Sequence, residues 1–294
     1  MERARPILII GELGLLGEAL RSELERRNQR HLVPPLAELD LTREQSVTAY
    51  FDRRKPGAVI NAAAFTDVAR AELPEHFDEV MRVNRDGPGW LASVCARHDL
   101  PLIQVSTDYV FDGRKTTPYR EDDRVAPLQV YGRSKLEGER AVLAVHEAAL
   151  VARTSTLFGP GRRARSHYVD AVLRQAERGG PLSLVRLPVS SPTYAPDLAT
   201  ALLRLLAVGA RGVVNVANRG ACSRFELARE AIRLAGYEGR VTLTERPESP
   251  HGPGRPAYSV LDLTRYTRLT GEPTRAWKDA LVEFVALRLA GRKP

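Results

Sequence analysis

The sequence predicts an α/β protein built around a doubly wound parallel sheet, and two observations lead to that class. Short continuous apolar runs, typical of strands buried on both faces, alternate with longer helical patterns along the chain. The first run, Pro6 to Ile10, ends in a glycine-rich turn, and a helical pattern over Glu18 to Arg27 follows. Strand, glycine turn and helix in this order are typical of a dinucleotide-binding sheet of the Rossmann type.

Length and composition fit one large domain with a smaller appended region. The chain has 294 residues, of which 43% are hydrophobic, enough for a buried core. The formal net charge of +8 comes mainly from arginines scattered in short doublets among acidic residues, so we expect no nucleic-acid partner. Cys95 and Cys222 lie far apart in the sequence, which argues against a disulfide framework and against a metal site.

The N-terminal apolar run bears on localisation. It meets glycine after a few residues, too early for the apolar core of a signal peptide, and no other segment approaches the length of a membrane span. The sequence therefore predicts a cytoplasmic protein that does not associate with membranes.

The glycine turn is the first candidate binding site. Gly11, Gly14 and Gly17 permit a tight turn and a close approach of backbone N–H groups to a pyrophosphate, while the following helix contributes partial positive charge. The second strand, His31 to Val33, ends in two prolines rather than in the acid that favours NAD or the arginine that favours NADP. The sequence is therefore compatible with NAD or NADP, in the reduced form.

The adenine end of the cofactor has candidates after the second strand. Asp40 and Leu41 could border the adenine. Asp40 could instead begin the next helix, where Thr42 and Gln45 have the spacing of a capping box. Both interpretations are compatible with the sequence.

Two further strands are predicted, and small or polar residues follow each of them. The third strand, Gly57 to Asn61, ends in three small residues that leave room for a ligand, Ala62, Ala63 and Ala64. A helical pattern from Pro74 to Cys95 follows, interrupted around residues 86–89, and Asn84 within it could bind backbone. The fourth strand, Leu102 to Val105, runs directly into a polar segment that begins at Ser106.

A tyrosine and a lysine four residues apart form the candidate catalytic pair. On a helix, Tyr131 and Lys135 share one face, so a phenol and an ammonium could point into the same cleft. A nearby cation favours the phenolate, so we expect Lys135 to lower the pKa of Tyr131 and make it a better general acid for a carbonyl oxygen. The alternative is an exposed helix with an ordinary tyrosine and a solvated lysine.

A threonine at the end of the fourth strand completes the set. Ligands bind at the carboxyl ends of parallel strands, so Thr107 is placed to hydrogen-bond a substrate carbonyl. The alternative is that Thr107 caps its own turn. With Tyr131 as proton donor and Lys135 also holding the nicotinamide ribose, Thr107 would orient the oxygen while hydride comes from the cofactor.

Six strings, GELGLLG, VINAAAFTDV, STDYVFDG, PLQVYGRSKLEGE, SPTYAPDLA and RPAYSVLD, resemble the dTDP-4-dehydrorhamnose reductase family of extended short-chain dehydrogenases. The resemblance implies an NAD(P)-binding Rossmann domain over 1–155 and 181–217 and a smaller substrate-binding region over 156–180 and 218–294. It also implies the catalytic roles of Thr107, Tyr131 and Lys135 and a substrate contact at Asp108. The cofactor contacts implied are Gly14, Leu15, Leu16, Asp40, Leu41 and Ala62 to Ala64.

The chain departs from the family on the substrate side. Thr156 stands where the family has a tryptophan at its sugar-nucleotide site, and Arg186-Leu187 replaces an acid and an amide. Ala69 similarly replaces an acid. These departures leave the identity of the sugar nucleotide open.

The remaining segments give further expectations. Leu182 to Val185 and Gly212 to Val216 resemble strands of the main sheet, with a helix over Ala195 to Leu206 between them. Ser223 and Glu226 have capping-box spacing at the start of another helix. Helices are also expected within Gly161 to Arg178, whose Arg162, Arg163 and Arg165 could meet a diphosphate, and over Thr274 to Leu289. Arg255 is a candidate phosphate ligand in the Pro/Gly-rich loop Pro247 to Pro256.

The expected activity is NAD(P)H-dependent reduction of the 4-keto group of a nucleotide-activated deoxysugar, with dTDP-4-dehydrorhamnose, reduced to dTDP-L-rhamnose, as the first candidate. One alternative is the same chemistry on another nucleotide sugar, and another is a non-catalytic NADP-binding regulatory subunit of the same family. The chain could be a monomer or a homodimer. Magnesium is conceivable by resemblance to the family, but no carboxylate cluster in the sequence supports it.

Overall fold

The structure, a computed structural model, describes residues 5–161, 167–246 and 254–291. Its main sheet has six strands, all parallel, which confirms the predicted fold class. In chain order the strands are β1 (Ile7–Ile10), β2 (His31–Leu32), β3 (Ala58–Asn61), β4 (Leu102–Thr107), β5 (Leu150–Thr154), β6 (Leu157–Phe158), β7 (Gly180–Val185), β8 (Val189–Ser190), β9 (Thr193–Tyr194), β10 (Gly212–Asn215), β11 (Cys222–Ser223) and β12 (Val241–Arg246).

Helices lie between the strands. They are α1 (Leu15–Arg26), α2 (Glu44–Arg53), α3 (Val68–Ala71), α4 (Phe77–Met81), α5 (Gly87–Arg97), α6 (Val130–Val145), α7 (Tyr168–Arg178), α8 (Ala195–Ala207), α9 (Arg224–Leu234), α10 (Thr264–Thr270) and α11 (Trp277–Ala290). Within the described residues, no helix is both long enough and apolar enough to span a bilayer.

The order of strands in the main sheet is β2-β1-β3-β4-β5-β10. The chain moves to one side of β1 to form β2 and then crosses to the other side to form β3. This reversal leaves a crevice beyond the carboxyl ends of β1 and β3, which is where open α/β sheets bind ligands. The glycine turn after β1 and the alanines after β3 both border it.

Two apolar layers cover the faces of the sheet. Alternate residues of β1 point to opposite sides, so that Ile7 and Ile9 pack with α1 and α8, while Leu8 and Ile10 pack with α2 and α5. Since both faces are buried, the strands consist of continuous apolar runs, which is why they could be found in the sequence.

A smaller group of elements lies beyond the main sheet. Strands β7 and β12 pair in parallel, and α7, α9 and α11 pack around Phe158 and Tyr194. The prediction that Leu182 to Val185 belongs to the main sheet is wrong, because β7 pairs only with β12 among the described residues. The division of the chain into two regions at the predicted bounds stays a prediction.

The helical segment before β4 is not broken where the sequence pattern suggested an interruption. Arg82–Asp86 forms a π-helical turn between α4 and α5, and Pro88 occupies the first turn of α5, where its missing N–H is tolerated. A side chain at Gly87 would lie 2.6 Å from the Leu41 carbonyl oxygen, so this glycine allows close packing instead of ending the helix. Asn84 binds the backbone of Phe65, as predicted.

Two capping predictions have different outcomes. Ser223 and Glu226 form the predicted capping box at the start of α9. Thr42 and Gln45 do not form one, because the Asp40 carboxylate accepts both the N–H and the hydroxyl of Thr42 and α2 begins two residues later. Arg162, Arg163 and Arg165 lie outside the described residues.

Candidate active site

The glycine turn lies against the end of β3. Gly11 has a φ of +90°, and a Cβ there would be 2.5 Å from the Ala63 nitrogen. A Cβ at Gly17 would be 2.2 Å from the Gly11 carbonyl oxygen. The fold itself therefore requires glycine at positions 11 and 17. At Gly14, in contrast, a Cβ would have one neighbour within 4 Å, the Gly11 oxygen at 3.4 Å.

Gly14 is the N-cap of α1 and provides no side-chain cap. The first N–H groups of α1, including those of Leu15 and Leu16, are thus available at the positive end of a helix dipole. Leu16 is buried in the core, so only its backbone could contact a ligand. The open space over Gly14 and the uncapped helix end fit the diphosphate of a dinucleotide.

The other predicted cofactor residues lie around the same crevice. Ala62 donates its N–H to the Ile10 carbonyl, which joins the end of β3 to the end of β1, and Ala63 and Ala64 follow it. Leu41 is buried in the core, and Asp40 is half-buried with its carboxylate engaged by Thr42. The alternative that Asp40 begins the next helix is wrong, because its carboxylate accepts from Thr42 in the preceding turn and α2 begins at Glu44.

Thr107 and Tyr131 meet at the carboxyl end of β4. Thr107 is the last residue of the strand, and Tyr131 is the second residue of α6. The Thr107 hydroxyl accepts the N–H of Tyr109 at 3.2 Å and lies close enough to the Tyr131 hydroxyl to oppose the rise in the pKa of that tyrosine. Thr107 therefore caps its own turn and acts on the tyrosine at the same time.

The surroundings of Tyr131 correct one expectation. Burial raises the pKa of Tyr131. The Thr107 hydroxyl lowers this pKa, and Asp108 and Tyr109 raise it further. The expected lowering by Lys135 is contradicted, because the net shift is upward and Lys135 is not among its causes; the Lys135 ammonium donates to the Val105 carbonyl of β4 at 2.7 Å. The ring of Tyr131 packs edge-on against Tyr109, with centroids 6.0 Å apart.

Lys135 is buried, and burial lowers its pKa to about 8, while the carboxylate of Glu139, one turn later on α6, raises it. Glu139 is itself paired with Arg153 of β5, with Nη2 and Oε2 2.7 Å apart, and it accepts the Ser106 hydroxyl at 2.5 Å. Sequence analysis did not identify this pair. The sequence does place Glu139 four residues after Lys135, and this spacing puts the carboxylate and the ammonium on the same face of the helix.

Asp108 lies behind Thr107. Its carboxylate is 2% exposed and accepts hydroxyls from Thr107 at 3.2 Å, Ser155 at 2.8 Å and Ser259 at 2.5 Å. Burial raises the pKa of Asp108 to about 6, and hydrogen bonds from Ser259, Ser155 and Thr107 oppose that rise. Hydroxyl groups surround the Asp108 side chain, and one of them, that of Thr107, belongs to the predicted catalytic set.

Thr156 and Arg255 lie on the side away from the glycine turn. Thr156 has a φ of +33°, and its hydroxyl is 2.9 Å from that of Ser190. Burial raises the pKa of Tyr109 and the charge of Asp108 raises it further, while the charges of Arg224 and Arg255 lower it. The charges of both arginines thus act on Tyr109, whose ring packs against that of Tyr131.

Arg224 is a candidate ligand-binding residue that sequence analysis did not identify. Its guanidinium lies 5.1 Å from the centroid of the Tyr168 ring, and its Nε is buried without a hydrogen-bond partner among the described residues. The capping box at Ser223 placed Arg224 in the first turn of α9, but nothing in the sequence showed that this turn faces Tyr109.

In this arrangement, dinucleotide-binding features at the switch point of a parallel sheet lie beside a Thr–Tyr–Lys set on the neighbouring strand and helix. It is the arrangement of a Rossmann-fold carbonyl reductase. Among the described residues, no group of three or more His, Cys, Asp or Glu side chains could hold a metal ion.

Comparisons with known proteins identify the family. The model of the RmlD substrate binding domain family matches residues 5–289. A dTDP-4-dehydrorhamnose reductase of Mycolicibacterium smegmatis is 36% identical over 286 residues, covering 96% of this chain and 86% of the relative. A probable dTDP-4,6-dihydroxy-2-methyloxan-3-one 4-ketoreductase of Streptomyces antibioticus is 36% identical and covers 98% and 97%. The chain belongs to the dTDP-4-dehydrorhamnose reductase family, as the resemblance predicted.

Solved structures agree with this assignment. A dTDP-4-dehydrorhamnose reductase of Clostridium acetobutylicum superposes with a TM-score of 0.90 at 33% identity, covering 97% of this chain and 99% of the other. The reductase of Bacillus anthracis, solved in complex with NADP, gives a TM-score of 0.90 at 28% identity with the same coverage.

Proposed function

We propose that this chain is an NADPH- or NADH-dependent reductase of the 4-keto group of a nucleotide-activated deoxysugar, with dTDP-4-dehydrorhamnose as the first candidate substrate. The observation that carries the proposal is that Thr107 ends β4 and Tyr131 lies in the first turn of α6, close enough for Thr107 to act on the pKa of the tyrosine, with Lys135 one turn further along the helix. The family membership and the NADP-bound relative support it.

The chemistry divides between the cofactor and the chain. The bound cofactor supplies hydride to the carbonyl carbon. Tyr131 donates its hydroxyl proton to the carbonyl oxygen, and Thr107, close to the Tyr131 hydroxyl, orients that oxygen. Lys135 keeps an ammonium one helical turn away, where it can hold the nicotinamide ribose. Its pKa of about 8 keeps most of it charged at neutral pH.

The substrate side has a cation pair for the diphosphate. The charges of Arg224 and Arg255 both act on Tyr109, whose ring packs against that of Tyr131. Planar guanidinium groups bind phosphate oxygens in pairs, so these two arginines fit a nucleoside diphosphate that brings its sugar next to Tyr131. Thr156 and Ser190 place small polar groups where the family has tryptophan, which favours a sugar or nucleotide that makes hydrogen bonds there.

A substrate panel tests the proposal. The protein, with NADPH or NADH, should oxidise the reduced nicotinamide in the presence of dTDP-4-dehydrorhamnose, followed as loss of its absorbance. If another 4-keto sugar nucleotide is reduced faster, the substrate assignment changes and the chemistry is kept. Silence toward the whole panel, together with a partner enzyme whose activity the chain alters, would favour the non-catalytic alternative.

The glycine turn provides a test of cofactor binding that is independent of turnover. Gly14→Ala should fold normally, because a Cβ meets only one atom within 4 Å, yet it should raise the dissociation constant for NADPH or NADH by about tenfold or more by crowding the diphosphate. Titration of reduced-nicotinamide fluorescence measures this. Gly11→Ala is the contrasting variant: a φ of +90° and a clash with Ala63 should prevent stable folding. Unchanged affinity in Gly14→Ala would contradict the placement of the diphosphate.

The proposal extends to the localisation, oligomeric state, metal dependence and domain division of the protein. We propose a cytoplasmic monomer or homodimer that works without a metal ion or a nucleic-acid partner. We propose also that it divides its cofactor and substrate between the predicted regions 1–155 with 181–217 and 156–180 with 218–294, except that β7 belongs with the second region. Light scattering of the purified protein would determine the oligomeric state. Turnover that survives a strong chelator would support metal independence.

A further inference from the structure

The helix that carries Tyr131, α6, begins without a cap of its own. Its N-cap residue, Gln129, makes no side-chain bond to the helix, and the buried amide of Gln129 has no hydrogen-bond partner among the described residues. The first turn of α6 contains no acidic residue. Because the first N–H groups of a helix have no acceptor within it and carry partial positive charge, this helix end depends on an acceptor from outside the helix.

Glu72 supplies such an acceptor from a distant part of the chain. Its Oε1 accepts the N–H of Val130, the first residue of α6, at 2.6 Å and across 58 residues. A hydrogen bond to an ionised carboxylate is stronger than one between neutral groups, and negative charge is favourable at a helix N-terminus. Since Val130 directly precedes Tyr131, this bond holds the backbone that carries the Tyr131 ring.

The residue after Tyr131 is held by a different contact. A Cβ at Gly132 would lie 2.3 Å from the Tyr109 carbonyl oxygen, so the first turn of α6 packs closely on Tyr109. The Tyr131 ring also packs edge-on against the Tyr109 ring. Glu72 and Tyr109 thus hold the two residues on either side of Tyr131, and the direction of the Tyr131 hydroxyl depends on both contacts.

Glu72 ends the segment that borders the cofactor crevice. This segment begins at Ala62, whose N–H donates to the Ile10 carbonyl of β1. It continues into α3, where the Asp67 carboxylate accepts the N–H of Arg70 at 3.1 Å, and Glu72 is the C-cap of that helix. Because the segment is fixed at both of these points, its bond to Val130 holds the start of α6 relative to the crevice.

We propose that Glu72 is a positioning residue for the reduction, which holds the Tyr131 hydroxyl in line with the substrate carbonyl by fixing the first N–H of α6. The inference rests on the proposed reductase activity. Glu72 acts through the backbone of α6 and not by contact with the substrate. Loss of its carboxylate would leave the Tyr131 phenol intact but less precisely placed, and a displacement of about 1 Å can cost about 10²-fold in rate.

Glu72→Ala tests this role through quantities that a fall in stability alone would not change. We expect kcat to fall by about tenfold, with KM for the keto sugar and for the reduced cofactor within about twofold of wild type, since neither binding surface is altered. The solvent deuterium isotope effect on kcat should rise, because proton donation by a displaced Tyr131 becomes rate-limiting. Partial unfolding would instead lower the concentration of active enzyme and leave the isotope effect unchanged.

Two further variants complete the kinetic test. Glu72→Gln keeps a side-chain oxygen that can accept the N–H of Val130, so it should restore kcat to within about threefold of wild type. Glu79→Ala is the matched control, because Glu79 is also exposed but its carboxylate lies 3.2 Å from His76. It should keep the wild-type kcat and isotope effect. An unchanged kcat in Glu72→Ala, or a lower kcat with an unchanged isotope effect, would overturn the inference.

Hydrogen exchange tests the same bond without any turnover. The backbone amides in the first turn of α6 should exchange faster in Glu72→Ala than in wild type or Glu79→Ala, measured by mass spectrometry on a peptide that contains Tyr131. Equal exchange rates would contradict the link between Glu72 and α6. Faster exchange in a protein that reduces no keto sugar would overturn the positioning role together with the proposed function, whereas an active wild type with equal exchange rates would overturn the positioning role alone.

Discussion

Tyr131→Phe should lower kcat by about 10²- to 10⁴-fold, the usual effect of removing a general acid. The variant loses one oxygen and keeps the ring that packs edge-on against Tyr109. The keto sugar substrate would still bind, but no proton donor would neutralise the negative charge that develops on its carbonyl oxygen. Affinity for the reduced cofactor should change little, because the phosphate-binding turn after β1 is untouched. Steady-state kinetics and a cofactor titration measure the two quantities.

A matched control for Tyr131→Phe is Tyr50→Phe. Tyr50 is also buried, but it lies on α2 in the core between that helix and the sheet. The same chemical change there should leave kcat within about twofold and alter stability only slightly. Equal kcat values for wild type and Tyr131→Phe would refute tyrosine as the proton donor.

Arg153→Met should destabilise the fold by about 3–5 kcal/mol, because it leaves the Glu139 carboxylate buried without its cation. The pair is nearly inaccessible, with side chains 5% and 3% exposed, and the guanidinium also lies 5.2 Å from the centroid of the Phe111 ring. Urea unfolding at pH 7 would measure the loss. The effect reaches the site, because Glu139 raises the pKa of Lys135 and accepts the hydroxyl of Ser106, next to Thr107.

Two further variants define the origin of that loss. Replacing both partners, as in Arg153→Met with Glu139→Leu, should recover much of the stability, since no Glu139 carboxylate remains buried without its arginine. Arg26→Met removes an exposed partner of Glu23 and should change stability by less than about 1 kcal/mol. If Arg153→Met were as mild as Arg26→Met, the buried pair would not hold the region behind the catalytic lysine together.

The sequence predicted the central sheet well because strands covered on both faces must be apolar throughout. It did not show that β7 lies outside that sheet, because an apolar run does not identify its partner strand. The π turn before α5 was missed for a similar reason. Gly87 and Pro88 are usual at breaks, and only the nearby Leu41 carbonyl shows that the glycine is needed for packing.

The candidate site was predictable where its residues follow local rules. The glycine turn depends on backbone geometry, and Tyr131 and Lys135 depend on helical spacing. The surroundings were not predictable, because Ser259 donates to Asp108 across 151 residues and Arg153 of strand β5 pairs with Glu139 of helix α6. The direction of the Tyr131 pKa shift was likewise not predictable, because its largest cause is burial of the tyrosine in the folded protein.

The wide turn at Arg82–Asp86 constrains how this chain can vary. A π turn accommodates one residue more than an ordinary helical turn, and each helical residue advances by about 100°. Deleting one residue there would rotate α5 about its axis by roughly that angle. Leu91 and Cys95 would then no longer pack on the sheet, and polar residues of α5 would face it instead. The additional residue thus fixes which face of α5 packs on the sheet. Insertions and deletions that a surface loop tolerates would therefore disrupt the core at this segment.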